Sequence, residues 1–354
     1  MSDLGNRYLN DQKEKILIRL KAIEKKLPPV CHDFLTFYLS AKDAQPRTVL
    51  SYAQDLEVFF YFLEKENPTF KDRTKITPDD LERLTMSDIQ EYMVFLENYT
   101  KDGKRYQNSA SGKSRKLSSL RSLYKYMLNM RMIKTDPTVL IPFPKQKKKN
   151  IVMMENDEMD EFMDNVEDGK TLTDRQHDLS DKMKERDIAI VTLLLHTGIR
   201  ISELVGLDLN DINFKDSSIR VIRKGGDEDY VYFDEEVEYA LKSYIDSERP
   251  KDTGLTALFI SRKGNRISIR AVERMVRKYA AVLPNKKITP HKLRSTFASH
   301  LYRKTGDIYL VKDALHHKNI STTTRYASIG EDQKRSVPKL IEEAYNSLEN
   351  VPKK

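Results

Sequence analysis

Cysteine and long apolar runs are nearly absent from this chain of 354 residues. Cys31 is the single cysteine, so an intramolecular disulfide is impossible and a zinc site built on several thiolates is excluded. The longest apolar run, residues 188–195, contains a threonine and is far shorter than the ~20 residues of a membrane span. The N-terminal sequence MSDLGNRYLNDQKEK has no apolar signal core. We therefore expect a soluble cytoplasmic protein without a membrane partner.

Charge, by contrast, is plentiful. Charged residues make up 33% of the chain, the formal net charge is +8, and the sequence pI is about 9.1. This balance favours an anionic partner such as nucleic acid, although many soluble proteins of other classes are equally basic. The chain has no internal repeats and no glycine-rich loop of the kind that cradles nucleotide phosphates.

Hydrophobic periodicity divides the chain into two domains, the number that its length favours. We predict a charged helical extension over 1–27, a helical domain over 28–142, a basic linker over 143–150 and a second domain over 151–354. The linker follows from IPFPKQKKKN, where prolines and lysines favour an extended, solvated chain.

The first domain is predicted to be entirely helical. Amphipathic helices are indicated by TVLSYAQDLEVFFYFLEKE, which follows Pro46, by LERLTMSDIQEYMVFLENY and by SGKSRKLSSLRSLYKYML. Basic side chains crowd the surface of the last helix. They can follow a phosphate backbone, or they can form an ordinary solvated face. The DNA-binding candidates here and in the linker are Arg47, Lys113, Arg115, Arg121, Lys125, Lys147, Lys148 and Lys149.

The second domain is predicted to be mixed. An acidic helix over 155–168 precedes a buried helix that stops near Gly198. A β-hairpin turns at Gly225 and Gly226, and further helices follow, the last over 337–350. The fold class is therefore mainly α with a small β-sheet. One of these helices, SIRAVERMVRKYAAVL, carries two more candidates for DNA contact, Arg270 and Arg274.

Several groups suited to phosphate chemistry lie at helix starts and near the end of the chain. Two arginines can fork onto one phosphate, and histidines can donate to it or move protons near neutral pH. A lysine of lowered pKa can protonate a leaving oxygen, and a tyrosine hydroxyl can act as a nucleophile. Any one of these groups alone would have an ordinary structural explanation. The candidates are Arg200, Glu203, Lys224, His291, Arg294, one of the adjacent histidines His316 and His317, and Tyr326.

The order and spacing of these groups carry a resemblance to a known family. TGIRISEL, RKGG, PHKLRST and HKNISTTTRY follow the pattern Arg…Lys…His-x-x-Arg…His/Trp…Tyr. In this respect the chain resembles the tyrosine recombinases (integrases), and its length and several stretches resemble the Xer-type branch. The family places its last histidine nine positions before the tyrosine, which selects His317 rather than His316.

The resemblance implies a role for each matched residue. Tyr326 would attack the scissile phosphate and form a 3′-phosphotyrosyl bond. Arg200, Arg294 and His317 would stabilise the transition state. Lys224 would be the general acid, His291 would assist proton transfer, and Glu203 would hold Arg200. No metal and no cofactor is implied.

The resemblance also implies an architecture and partners. A helical SAM-like core-binding domain and a catalytic domain would form a C-shaped clamp on double-stranded DNA with inverted half-sites. A homotetramer would assemble through the C-terminal helix and resolve chromosome dimers at a dif-type site, on the nucleoid. Control by an FtsK-type DNA translocase is left open. The alternatives are an integrase or transposase of a mobile element, a type IB topoisomerase, and a DNA-binding protein with a decayed site.

Two positions depart from the family pattern. Ser295 stands where a histidine is frequent, and His316 stands where glycine is usual. Because glycine at such a position normally meets a special backbone angle, we expect the local backbone to differ and a further cation to border the site.

Overall fold

The computed structural model describes residues 3–146, 151–223, 227–251, 254–327, 338–339 and 341. The chain divides into two compact units, Met1–Lys149 and Asn150–Lys354. Several predicted residues lie outside the described ones: Lys147, Lys148, Lys149, Lys224, Gly225, Gly226 and most of the C-terminal helix predicted over 337–350. Within the described ranges, no helix is both long enough and apolar enough to cross a bilayer.

The first unit is a helical bundle with one short antiparallel hairpin. Its helices are α1 (Asp3–Glu24), α2 (Pro29–Ser40), α3 (Pro46–Glu66), α4 (Pro78–Glu82), α5 (Met86–Phe95) and α6 (Ala110–Asn129). Its strands are β1 (Tyr99–Lys101) and β2 (Lys104–Tyr106). The predicted helices after Pro46 and over 111–128 are confirmed as α3 and α6, whereas the hairpin was not predicted.

Helix α1 is part of this bundle. It packs against α3, with Leu20 buried and the neighbouring apolar side chains of Ile16, Leu17 and Ile23 against the same core. Burial of apolar surface is the main favourable term in folding, so these contacts hold α1 in place. The charged helix at the start of the chain is thus a structural element of the first unit.

The prediction of a single helix over 81–99 is wrong. Helix α4 ends at Glu82, and Thr85 starts α5 with a capping box. The Thr85 N–H donates to the Asp88 carboxylate at 2.7 Å, and the Asp88 N–H donates to the Thr85 hydroxyl at 3.4 Å. A threonine with an acidic residue three positions on is a helix start, and it outweighs the continuous apolar pattern across the break.

The second unit consists of helices and a three-stranded antiparallel sheet. The helices are α7 (Asn156–Asp168), α8 (Asp174–Asp181), α9 (Lys184–Thr197), α10 (Ile201–Gly206), α11 (Glu235–Ser243), α12 (Ile269–Tyr279), α13 (Pro290–Thr305) and α14 (Ile308–Ala314). A single π-helical turn, Tyr244–Glu248, extends α11. The sheet has the order β3 (Ile212–Asn213), β4 (Ser218–Ile222), β5 (Glu228–Tyr232), so the predicted hairpin is confirmed and gains an unpredicted third strand.

Helix α9 forms the centre of this unit. It is apolar almost all round, as expected of a core helix, and it packs against α11 and α13. It ends at Gly198, whose φ of +60° is the left-handed conformation that glycine adopts without strain. The chain enters α10 at Ile201, and Arg294 of α13 donates to the Gly198 carbonyl just before it.

Candidate active site

The two predicted arginines meet at one backbone carbonyl. Arg200 is the N-cap of α10, and its Nη2 donates to the carbonyl oxygens of Leu315 at 3.4 Å and His316 at 3.3 Å. Arg294, in α13, is only 4% exposed, and its Nη2 donates to the Leu315 carbonyl at 2.5 Å. Its Nη1 donates to the Gly198 carbonyl. Residues almost a hundred positions apart in the chain are thus joined at a single acceptor.

Glu203 holds Arg200 in place, as predicted from its position three residues on. Its carboxylate accepts from the Arg200 backbone N–H at 3.0 Å and from Arg200 Nη1 at 2.8 Å. A second guanidinium, from Arg223, donates to the same carboxylate at 2.7 Å. Burial alone would raise the pKa of Glu203, but the charge of Arg223 and the hydrogen bonds from Arg200 hold that pKa below its usual value.

Arg294 has a lowered proton affinity in this setting. Burial first, and then the charge of Arg200, lowers the pKa of Arg294 to about 10, while Glu203 and Tyr326 oppose this shift. At neutral pH Arg294 is still charged. A buried, charged guanidinium beside a second one is the electrostatic arrangement that binds an anion.

Tyr326 and His317 lie side by side next to these arginines. Their rings stack at 6.3 Å between centroids with an interplanar angle of 18°. Tyr326 is 5% exposed and packs in a small cluster with Ala298, Val311 and Leu315. A short 3-10 turn, Thr324–Ala327, carries it. The spacing that selected His317 therefore corresponds to direct contact between the two rings.

His317 is neutral at physiological pH in this setting. Burial lowers its pKa most, followed by the charges of Arg294 and Arg200, to about 4. Its Nδ1 lies 2.8 Å from the hydroxyl of Thr323, which is fully buried. The hydroxyl run in ISTTT thus contains a residue that orients the histidine, and our reading of the sequence did not single it out.

His291 lies in the first turn of α13, three residues before Arg294, and is exposed. Partial loss of hydration first, and then the charges of Lys292 and Arg294, lowers the pKa of His291. Lys224 lies outside the described residues. The two strands on either side of Lys224, β4 and β5, are among the described residues. In their antiparallel pairing Val221 lies opposite Asp229.

The candidates for DNA contact differ in their surroundings. Four are exposed: Arg47, Lys125, Arg270 and Arg274. Lys113 binds Glu97 at 2.8 Å and Arg115 binds buried Asp55 at 2.5 Å. Arg121 differs most, because its guanidinium donates to the carbonyls of Thr138 and Val139, at 3.0 and 3.1 Å, and stacks on a neighbouring ring. Arg121 therefore fastens the end of the first unit.

Two further residues at the site, Arg223 and Asp229, escaped the sequence reasoning. Arg223 binds Glu203, and Asp229 binds both Arg223 and His316. His316 borders the site as expected and has φ +49°, a left-handed backbone that residues with a Cβ rarely adopt, but its lowered pKa disfavours the expected further cation. Two sequence features pointed to this region: the dipeptide Arg223-Lys224 and the unusual histidine at position 316. Neither feature identifies which residue the side chain contacts.

Gly198 offers a test of how closely the site is packed. A Cβ there would meet the Phe297 ring at 2.4 Å, and the φ of +60° is unfavourable for alanine. We expect Gly198→Ala to destabilise the protein by about 2–4 kcal/mol, measured as a lower thermal midpoint. The matched control is Gly306→Ala, since Gly306 ends α13 with φ +68° and has nothing within 4 Å of its Cβ position. Equal losses in the two variants would contradict the close packing at Phe297.

Comparison with known proteins now adds independent information. The phage integrase family model matches residues 152–332, and the phage integrase N-terminal SAM-like domain matches residues 32–130. The tyrosine recombinase XerC of Caldanaerobacter subterraneus subsp. tengcongensis is 32% identical over 91% of this chain and 89% of its own length. The tyrosine recombinase XerS of Lactococcus lactis subsp. cremoris is 30% identical over 93% and 100%, respectively.

Solved structures agree in fold. A XerH site-specific recombinase bound to palindromic difH substrate matches with a TM-score of 0.65 at 19% identity, covering 84% of this chain and 82% of that one. The Tn1549 transposon integrase bound to circular-intermediate DNA matches with a TM-score of 0.64 at 21% identity, over 87% and 98%. The family models and the relatives of 30% identity or more show that the chain belongs to the phage integrase family and is a tyrosine recombinase with Xer-type relatives.

Proposed function

We propose that this protein cleaves and rejoins double-stranded DNA at a specific site through a 3′-phosphotyrosyl intermediate on Tyr326. The observation that carries the proposal is the convergence of Arg200 and Arg294 on the Leu315 carbonyl, directly beside the stacked pair His317 and Tyr326. Two forked guanidiniums, a neutral histidine and a phenol in contact form a site suited to an in-line attack on a phosphodiester.

The reaction balances without an external energy source. The Tyr326 hydroxyl oxygen bonds to phosphorus, the bond from phosphorus to the 5′-oxygen breaks, and the tyrosine proton passes to His291. Lys224 protonates the departing 5′-oxygen. Attack by a 5′-hydroxyl on the phosphotyrosyl bond then reverses these steps and rejoins either the original or an exchanged strand. The phosphotyrosyl linkage conserves the phosphodiester bond energy between the two halves.

The surrounding cations stabilise the extra negative charge of the transition state. Arg200 and Arg294 donate to its non-bridging oxygens, and both are fixed before the substrate arrives, which lowers the cost of reorganisation. Because the pKa of His317 is about 4, this residue acts as a neutral donor. In the proposed tautomer Nδ1 accepts from the Thr323 hydroxyl, 2.8 Å away, and the proton on Nε2 is available to the phosphate.

The partner in this proposal is DNA with inverted half-sites. The 28–142 domain and the basic linker over 143–150 bind the duplex together with the catalytic 151–354 domain, and Arg47, Lys113, Arg115, Lys125, Arg270 and Arg274 contact its backbone. We extend the proposal to a homotetramer that joins two DNA sites. Its role would be the resolution of chromosome dimers at a dif-type site, on the nucleoid in the cytoplasm. An FtsK-type translocase would control the reaction. The Xer relatives along nearly the whole chain support this reading over a topoisomerase.

The proposal can be tested without knowing the target site. Full-length protein is incubated with a library of nicked duplexes of random sequence, so that cleavage beside the nick loses a short fragment and traps the covalent complex. DNA that stays with the protein after denaturation in SDS is recovered and sequenced. We expect an inverted repeat to be enriched, and failure to recover any adduct would overturn the proposed function.

The same assay in EDTA examines the source of positive charge. Because two arginines, Lys224 and His317 supply the charge and the protons, we expect the adduct yield on the selected duplex to be unchanged by chelation. Readdition of Mg²⁺ is the control for effects of ionic strength. Loss of the adduct in EDTA and its recovery with Mg²⁺ would contradict this mechanism.

The selected sequence also separates chromosomal from mobile-element function. A palindrome present once in the chromosome of the source organism supports dimer resolution. A match to the ends of a mobile element would instead assign the protein to transposon integration.

A further inference from the structure

Five residues at the edge of the active site form a closed ring of contacts, which we call the charge ring: Arg200, Glu203, Arg223, Asp229 and His316. Glu203 binds Arg200 at 2.8 Å on one side and Arg223 at 2.7 Å on the other. Asp229 Oδ2 accepts from Arg223 Nε at 3.2 Å and lies 2.5 Å from His316 Nδ1. The bond from Arg200 to the His316 carbonyl, 3.3 Å, closes the ring.

Only two of the five residues of the charge ring take part in the chemistry proposed above. Arg200 and Glu203 belong to the phosphate-binding group, whereas Arg223, Asp229 and His316 have no assigned step. Arg223 directly follows β4, and Asp229 lies in β5. His316 lies between α14 and the turn that carries Tyr326. The ring therefore ties the hairpin to the segment that holds the catalytic histidine and tyrosine.

The backbone at His316 needs such a tie. Its φ of +49° is unfavourable for any residue with a Cβ, and no glycine relieves it here. The contact with Asp229 offsets this cost. The same contact fixes the carbonyl groups of Leu315 and His316, to which the site arginines donate. It also fixes the backbone that leads into His317, the next residue.

The charges around His316 define the nature of this contact. Burial lowers the pKa of His316 most and Arg223 lowers it further, with Arg200 adding to the effect, while Asp229 and Glu203 oppose it. The net shift is downward, which favours a neutral imidazole whose Nδ1 lies 2.5 Å from the Asp229 carboxylate.

We propose that Asp229 and His316 are positioning residues, whose contact holds the 315–317 segment so that Arg200 and His317 face the scissile phosphate together. This inference rests on the proposed function of the site. Neither residue touches the reacting atoms. Each acts through the carbonyl groups and the side chains that it holds.

Single-turnover cleavage of the selected nicked duplex tests the inference. We expect Asp229→Ala to slow covalent adduct formation about 10- to 100-fold at unchanged DNA affinity, because small displacements of catalytic groups have effects of this size. Asp229→Asn keeps a side-chain oxygen that can accept from Arg223 Nε and face His316 Nδ1, and it is expected to recover part of the rate. His316→Gly is expected to be as slow as Asp229→Ala, although glycine relieves the backbone strain. The double variant should be no slower than either single one, since both remove the same contact.

A modified substrate distinguishes positioning from a general loss of structure. A methylphosphonate at the scissile position lacks one charged oxygen, so its cleavage depends less on the arginine charge. If the charge ring positions Arg200, the defect of Asp229→Ala shrinks on this substrate. A folding defect would slow both substrates equally. The matched control is Glu228→Gln, which removes the ion pair with Arg220 on the opposite face of the same strand.

The outcomes separate this inference from the proposed function. Wild-type rates in Asp229→Ala, multiplied defects in the double variant, or equal defects on the two substrates would each overturn the positioning role. In all three cases the wild-type adduct, and with it the proposed function, would remain. Absence of an adduct with the wild-type protein would overturn the proposed function itself.

Discussion

Replacement of Tyr326 by phenylalanine is expected to abolish covalent adduct formation while leaving DNA binding intact. The phenylalanine ring retains the stacking on His317 and the packing against Ala298, Val311 and Leu315, so the local structure should persist. What is lost is the only atom that attacks phosphorus. Removal of a nucleophile lowers the rate on the order of 10⁴-fold or more.

The measurement is the yield of SDS-stable complex on the selected nicked duplex, with a gel-shift titration of the same DNA for affinity. Tyr302→Phe is a suitable control, because Tyr302 packs against the same cluster without a proposed role in the chemistry. An adduct that survives denaturation in the Tyr326→Phe variant would show that the nucleophile lies elsewhere.

The second large effect is expected for Arg294→Lys. Arg294 is buried and divides its guanidinium between the carbonyls of Gly198 and Leu315, a planar fork that an ammonium group cannot reproduce. The variant keeps the charge and loses the geometry. We expect cleavage to fall about 10²- to 10³-fold, the usual effect of losing one fixed donor to a transition-state charge. The thermal midpoint should fall as well, since a buried carbonyl loses its partner.

Single-turnover cleavage and thermal unfolding of the same preparations measure the two effects. Arg303→Lys provides the control in the same helix, because Arg303 is partly exposed and bonds Glu155 at the surface. Cleavage by Arg294→Lys at nearly the wild-type rate would mean that charge alone, without forked geometry, suffices at this position.

Much of the fold followed from local patterns. The long amphipathic helices α3 and α6 and the buried helix α9 have apolar spacings that continue over several turns, so tertiary contacts reinforce what the local sequence prefers. The failures were short or interrupted elements. The break at Thr85 and the hairpin of β1 and β2 depend on capping and turn contacts that one or two residues specify, and a continuous apolar pattern conceals them.

The site divides in a similar way. The sequence by itself determined the chemical groups, from Arg200 to Tyr326, because their order and spacing form a pattern that single residues lack. It also marked His316 as unusual, and the backbone there is left-handed. In these cases the information is local: a residue type, a spacing or a backbone preference.

Only the tertiary structure decided which groups meet and what they hold. Arg121 lies among basic neighbours in the sequence but donates to backbone carbonyls, and Arg223 and Asp229 link the hairpin to His316. The pKa of His317 is lowered first by burial and then by two arginines that lie far apart along the chain. Hydrogen bonds and charge interactions act over a few ångströms. Which residues come that close depends on the folded structure and cannot be read from their separation in the sequence.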